Sequence, residues 1–221
     1  MATPHPQYLA LIGDIVASKR LAAPKRAQIQ ANLDASLKGL NRQRKRRGIA
    51  SAFTITLGDE FQALFERADA LFPSLFAIER DLYPTRLRFA IGVGRIVTRV
   101  HERTALGMDG PAFHEARRGI DVLRNANRRY GVFGLEPASP YLDAALALIS
   151  HQRETWKPAR LETLLDLLDG RKAGSTADRL GLSLQAIYKN ISAGALEPIT
   201  QILDTCTTDL NRALGDQRQH R

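Results

Sequence analysis

Two strand-like runs, "IASAFTITL" (49–57) and "EFQALF" (60–65), are separated only by Gly58 and Asp59. A two-residue connection with glycine between β-forming runs specifies a tight antiparallel hairpin. This hairpin constrains the fold most, because the elements around it fall into a definite order. "YLALIGDI" (8–15) reads as a buried strand, and "APKRAQIQANLDASLKGL" (23–40) repeats its apolar residues at helical spacing. After the hairpin, "ADALFPSLFAIERDL" (68–82) reads as a helix interrupted or kinked by Pro73, and "LRFAIGVGRIV" (87–97) as a strand. "PAFHEARRGIDVLRNANR" (111–128) reads as a helix opening after Gly110, and "RYGVFGL" (129–135) as a last short strand. The order is β-α-β-β-α-β-α-β. Its first six elements form a split βαβ, or ferredoxin-like, arrangement with helices on one face of the sheet.

"EPASP" (136–140) is a turn or linker. The expected fold is therefore α+β. An α/β domain spans 1–138, and a small all-α domain with a helix-turn-helix spans 139–221. Within the latter, Ala177, Gly181 and Ile187 have helix-turn-helix spacing: a small packing residue, a turn glycine, and a β-branched residue that buries the second helix. Ser175 and Ser183 are candidate caps, and Leu180, Leu182, Leu184 and Ile191 the candidate core. The segment resembles the DNA-binding helix-turn-helix of bacterial regulators. In that reading the second helix enters the major groove, with Gln185, Tyr188 and Lys189 exposed. The alternative is a helical hairpin used for packing. The apolar stripe of 195–214 suits core packing or dimerisation.

The hairpin tip carries two adjacent acids, Asp59 and Glu60, where a turn needs one. In the split βαβ order the first strand lies beside the hairpin, and that strand ends at Asp14. Paired carboxylates there suit Mg²⁺ or Mn²⁺, with a nucleotide's phosphates completing the coordination. Taken singly, each acid also has an ordinary explanation: Asp14 as a cap and Asp59 as a turn former.

"LIGDIVASK", "FTITLGDEFQALF", "RFAIGVGRI" and "ALGMDGPAFHEAR" together resemble the SatD family. In the same order they also resemble class III nucleotidyl cyclases and, more distantly, GGDEF and polymerase palm domains. The cyclase resemblance implies Asp14 and Asp59 as metal ligands, supported by Glu60 and the Ile15 carbonyl. It implies the backbone of Val16, Ala17, Ser18 and Lys19 against phosphate. It implies His114 and Arg118 as the catalytic pair, where the family has Asn and Arg. The family's base-selecting positions correspond to Ile55 and Gly107, which carry no such chemistry, and Asp109 is a possible replacement. The implied function is a metal- and nucleotide-binding sensor coupled to DNA binding, a transcriptional regulator acting as a homodimer. The alternative is an active nucleotidyl cyclase or related nucleotidyltransferase whose helices serve assembly.

Composition narrows the setting. Net charge is +9, with the excess in the first 150 residues, densest at Arg42–Arg47, and the remainder close to neutral. A solvated face is the ordinary reading of that run, and of Arg117, Arg118 and Arg124; an anionic partner is the other. The single cysteine, Cys206, excludes an internal disulfide and a multi-cysteine zinc site. With no apolar run near ~20 residues and no basic-then-apolar start, the expectation is a soluble cytoplasmic protein without a membrane partner.

Overall fold

The computed structural model describes residues 6–18, 21–43, 48–137 and 139–215. Lys19, Arg44–Arg47 and Ala138 fall outside them. The first part runs β1 (Gln7–Ile15), α1 (Ala23–Arg42), β2 (Ile49–Leu57), β3 (Glu60–Phe65), α2 (Leu71–Asp81), β4 (Leu87–Arg95), α3 (Pro111–Asn125) and β5 (Tyr130–Phe133). The sheet order is β2-β3-β1-β4-β5. β1 is antiparallel to both β3 and β4, β2 is antiparallel to β3, and β5 is parallel to β4. The split βαβ is thus present, with a fifth strand added through α3.

Both faces of the sheet are covered, which corrects the one-face expectation. Leu9, Leu11 and Ile15 of β1 join a core with α1 and α2, while Ala10 and Ile12 join a second core with Ala112, Phe113 and Ala116 of α3. A strand buried on two faces reads as a continuous apolar run rather than an alternation, as "YLALI" does. α3 sits very close to β4. A Cβ placed on Gly92 would collide with the Ala112 carbonyl and the Ala116 amide, both backbone atoms that cannot swing aside. We expect Gly92→Ala to cost about 1–3 kcal/mol by forcing α3 off the sheet, measured as a lower urea midpoint with an unchanged slope. Pro73 lies in the first turn of α2, where a missing N–H is tolerated, so it does not kink the helix.

The chain continues through α4 (Pro140–Arg153), α5 (Pro158–Leu168), α6 (Ala173–Leu180), α7 (Leu184–Ala193) and α8 (Leu196–Ala213). Trp156, Leu161, Leu164, Ile187, Leu203 and Leu210 belong to the same continuous core as β1 and α2. The α8 stripe is therefore spent on internal packing. Near the end of α8, Asn211 Oδ1 accepts from the Ala68 amide at 2.8 Å, tying that helix to the β3–α2 turn.

A buried ionic cluster joins α2, β5 and α4. Glu79 has no solvent exposure. Its carboxylate accepts from Arg129 Nη1 at 3.2 Å, Tyr130 Oη at 2.7 Å and Arg153 Nε at 2.7 Å. Arg129 also reaches Glu154 through Nε at 3.0 Å.

Cys206 is fully buried in α8, and burial pushes its thiol up to about 11 from 9.0. The folded state therefore holds the thiol proton where the unfolded chain has lost it, so this group's contribution to stability falls as pH rises from 9.0 to about 11. At pH 8 we expect iodoacetamide to label Cys206 only through unfolding. Native-rate labelling equal to that of the urea-unfolded chain would contradict this placement.

Candidate functional site

Asp14 stands on β1 opposite Glu60 of β3 and Arg88 of β4. The hairpin tip bends over the same end of the sheet. Gly58 has φ +46°, a conformation suited to glycine, and Gln30 of α1 donates to its carbonyl at 2.8 Å. The Ile15 amide donates to the Asp59 carbonyl at 3.0 Å, which fixes the tip against the end of β1. The chain then turns through Ala17 at φ +58°, and the Ser18 hydroxyl donates to the Asp59 carboxylate. Asp14, Asp59, Arg88, Arg124 and the 15–18 turn line one cavity of about 540 Å³.

The electrostatics are those of carboxylates gathered under arginines. Burial raises the Asp14 pKa; Arg88 and Arg124 oppose that shift, while the Asp59 charge adds to it. Arg88 Nη1 lies 3.3 Å and Arg124 Nη2 4.0 Å from Asp14 Oδ2. Glu60 is held differently. Both its oxygens are taken by Arg117, with Nη2–Oε1 at 2.7 Å, and Thr56 Oγ1 donates to Oε1 at 3.0 Å. That hydrogen-bonded pair raises the Arg117 pKa.

Asp14, Asp59 and Glu60 therefore meet in one cavity, together with Ile15, Val16, Ala17 and Ser18. Lys19 lies outside the described residues. The amides of Ile15 and Val16 are already bonded, to Asp59 and Arg86 carbonyls, so of this turn only Ala17 and Ser18 remain as backbone donors toward a phosphate. His114 and Arg118 are not brought to the cavity. His114 Nε2 is 2.6 Å from Asp109 Oδ1, and Arg118 bonds Glu115 and covers the Phe133 ring at 5.5 Å. The reason is helical phase. Arg117 and Arg124, seven residues apart, share one face of α3, whereas Arg118 is turned about 100° from Arg117. Ile55 packs against the core and Gly107 sits at φ +74° in a loop; neither lines the cavity.

Sequence reasoning missed Arg88, Arg117 and Arg124 as members of this site. Arg88 had a signal: it is the one charge inside the otherwise apolar "LRFAIGVG". The cavity's donors are oxygen atoms, which suits a hard divalent cation. With Glu60 committed to Arg117, the protein contributes two carboxylates. Among the described residues no group of three or more His, Cys, Asp or Glu is arranged around a common point.

In the C-terminal part, α6 ends at Gly181, φ +62°, and α7 begins at Ser183, whose hydroxyl caps the Ala186 amide at 3.1 Å. Ala177 and Ile187 are buried. Ser175 is not a cap, since α6 starts at Ala173. Leu182 and Leu184 are exposed rather than core. Gln185, Tyr188 and Lys189 are exposed on α7.

A central split βαβ sheet with two aspartates at one end of its middle strands defines an α+β protein with an acidic, arginine-rimmed cavity. The chain belongs to the SatD family, whose model matches residues 8–157. No curated protein matches it. Among solved structures it is similar to a bacterial light-regulated adenylyl cyclase, with 16% identity over 57% of this chain and 43% of that one, at a TM-score of 0.38. It is also similar to a regulator of polyketide synthase expression from Bifidobacterium adolescentis, with 14% identity over 98% of this chain and 82% of that one, at a TM-score of 0.29. The chain thus spans less than half of the cyclase structure. Among the described residues no helix is long and apolar enough to cross a membrane.

Proposed function

We propose that the Asp14–Asp59 cavity binds a phosphorylated nucleotide together with Mg²⁺ or Mn²⁺, and that α6 and α7 form a DNA-reading unit responsive to that binding. The observation that carries the reading is the convergence of Asp14, Asp59 and Arg88 at one end of the sheet. Asp14 and Asp59 would hold the metal, which would supply positive charge to offset that of the carboxylates and the phosphates. Arg88 and Arg124 add cations that recognise phosphate oxygens. Binding is favoured over turnover because His114 and Arg118 lie away from the cavity. A cytoplasmic homodimer fits this role: the helical part is near neutral, and two copies double its phosphate contacts.

The test is thermal melting of the full chain with each nucleoside triphosphate, with and without Mn²⁺. A nucleotide at 100 times its Kd stabilises by about 2.7 kcal/mol, and we expect that shift only when metal is present. No shift with any nucleotide removes the reading; conversion of ATP to a cyclic product would restore the enzyme alternative.

For the second part, the full chain should bind duplex DNA, beginning with its own upstream region. Gln185→Ala with Lys189→Ala should cost about 1–3 kcal/mol of specific binding and flatten the salt dependence. Binding that is absent at low salt, or identical in the variant, makes α6–α7 a packing hairpin.

A further inference from the structure

The cavity contains an arginine whose bonding is incomplete. Arg88 is 8% exposed, yet the one hydrogen bond of its side chain among the described residues is the 3.3 Å contact to Asp14. A guanidinium–carboxylate bond of full strength is about 2.7–2.9 Å. Its Nε is buried with no hydrogen-bond partner among the described residues. A desolvated guanidinium with unused donors is costly unless an anion satisfies it. Arg88 comes from the strand beside Asp14, in direct register with it, and its side chain lines the cavity. Its contact to Asp14 is made to Oδ2, so the carboxylate's charge is already offset by a guanidinium.

We propose that Arg88 is an exchange cation: it neutralises Asp14 in the free protein, and an incoming phosphate draws it away and so releases Asp14 to the metal. This rests on the metal–nucleotide reading above and adds its regulation. Free metal meets a carboxylate already occupied, while phosphate meets an arginine seeking an acceptor. Each ligand therefore strengthens the other, and by linkage the strengthening is equal in both directions. The cavity responds to metal and phosphate jointly rather than to ambient divalent cation. Arg124, 4.0 Å from the same oxygen but already bonded to Asp121 at 2.8 Å, is not the exchanging group.

The experiment is calorimetric titration of the full chain with two separate probes: MnCl₂ alone, and tripolyphosphate in EDTA. Relative to wild type, Arg88→Gln should bind Mn²⁺ alone about tenfold more tightly and metal-free tripolyphosphate about tenfold more weakly, within the usual range of coupling. Asp14→Asn should bind metal-free tripolyphosphate more tightly, because Arg88 is then released. That gain should vanish in the Asp14→Asn/Arg88→Gln double variant, since the two residues act as one unit. A gain that persists in the double variant is a general field effect and overturns the exchange. So does Mn²⁺ affinity unchanged in Arg88→Gln while wild type binds both probes. If wild type binds neither probe alone, the two are titrated together. No binding then removes the metal–nucleotide reading and the exchange with it. Joint binding in wild type, with Mn²⁺ alone bound by Arg88→Gln, supports the exchange; Mn²⁺ alone still unbound by Arg88→Gln overturns it. Melting of each variant checks folding, and should Arg88→Gln not fold, Arg88→Met, which removes the charge and keeps an apolar stem in the same place, replaces it in every arm.

Discussion

Replacing Glu79 by alanine should lower the unfolding free energy by about 3–5 kcal/mol, the usual cost of removing one partner from a buried ion pair. Glu79 is fully buried and is the shared acceptor for Arg129, Arg153 and Tyr130. Arg129 and Arg153 are only 6% and 4% exposed. Without Glu79, Arg153 keeps its bond to the Trp156 carbonyl and Arg129 keeps Glu154, but both retain charge in a poorly solvated place. The Tyr130 phenol, its pKa pushed well up by burial and then by the Glu79 charge, loses its acceptor. Domains of ordinary stability hold about 5–15 kcal/mol in total, so the variant should lose a large share of its stability and melt at a clearly lower temperature. Urea unfolding followed by circular dichroism measures the loss. A cost under about 1 kcal/mol, the range of exposed pairs, would mean that the arginines reach water and that the cluster is not closed.

Asp59→Ala should abolish metal-dependent nucleotide binding while leaving the fold intact. Loss of an outer partner of a metal ligand costs roughly 10–100-fold in affinity, and loss of a ligand itself should exceed that. Stability should hold or rise, because the Asp59 carboxylate raises the Asp14 pKa and its main partner is the neighbouring Ser18 hydroxyl. The backbone bond from the Ile15 amide to the Asp59 carbonyl survives the substitution. Paired nucleotide titrations with Mn²⁺, alongside melting of both proteins, give the answer. Nucleotide affinity equal to wild type would remove Asp59 from any metal role.

The sheet was legible because its signals are local. Gly58-Asp59 between two β-rich runs fixes a hairpin, and the order of apolar periods around it admits few topologies. The two-face burial leaves its mark in the unbroken "YLALI", but the split βαβ arrangement of the first six elements pointed to helices on one face. Asp14 and Asp59 could be placed together because strand ends and hairpin tips follow from topology. Arg88 left a signal, a lone charge in an apolar strand, but Arg117 and Arg124 could not be placed, because which arginine of α3 reaches Glu60 or the cavity depends on helical phase relative to the sheet. Arg117 and Arg118 are adjacent in the chain and end on different surfaces. Leu182 and Leu184 show the same limit. Their apolar character suits a small core, yet the turn at Gly181 directs both outward while Ile187 fills the interior.

β1 is the middle strand of the sheet, and all its partners come later in the chain. Leu9 pairs with Phe65 and Val93; Asp14 pairs with Glu60 and Arg88. Such distant pairings form slowly, because the loops between them must close first. During synthesis, therefore, a chain that has emerged only through its hairpin holds both aspartates and no site. The cavity is complete only when β4 has brought Arg88 and α3 has brought Arg124. A ligand selective for that cavity recognises only chains translated and folded past this point, and amides of Ala10–Ile12 should exchange with solvent only when the whole sheet opens.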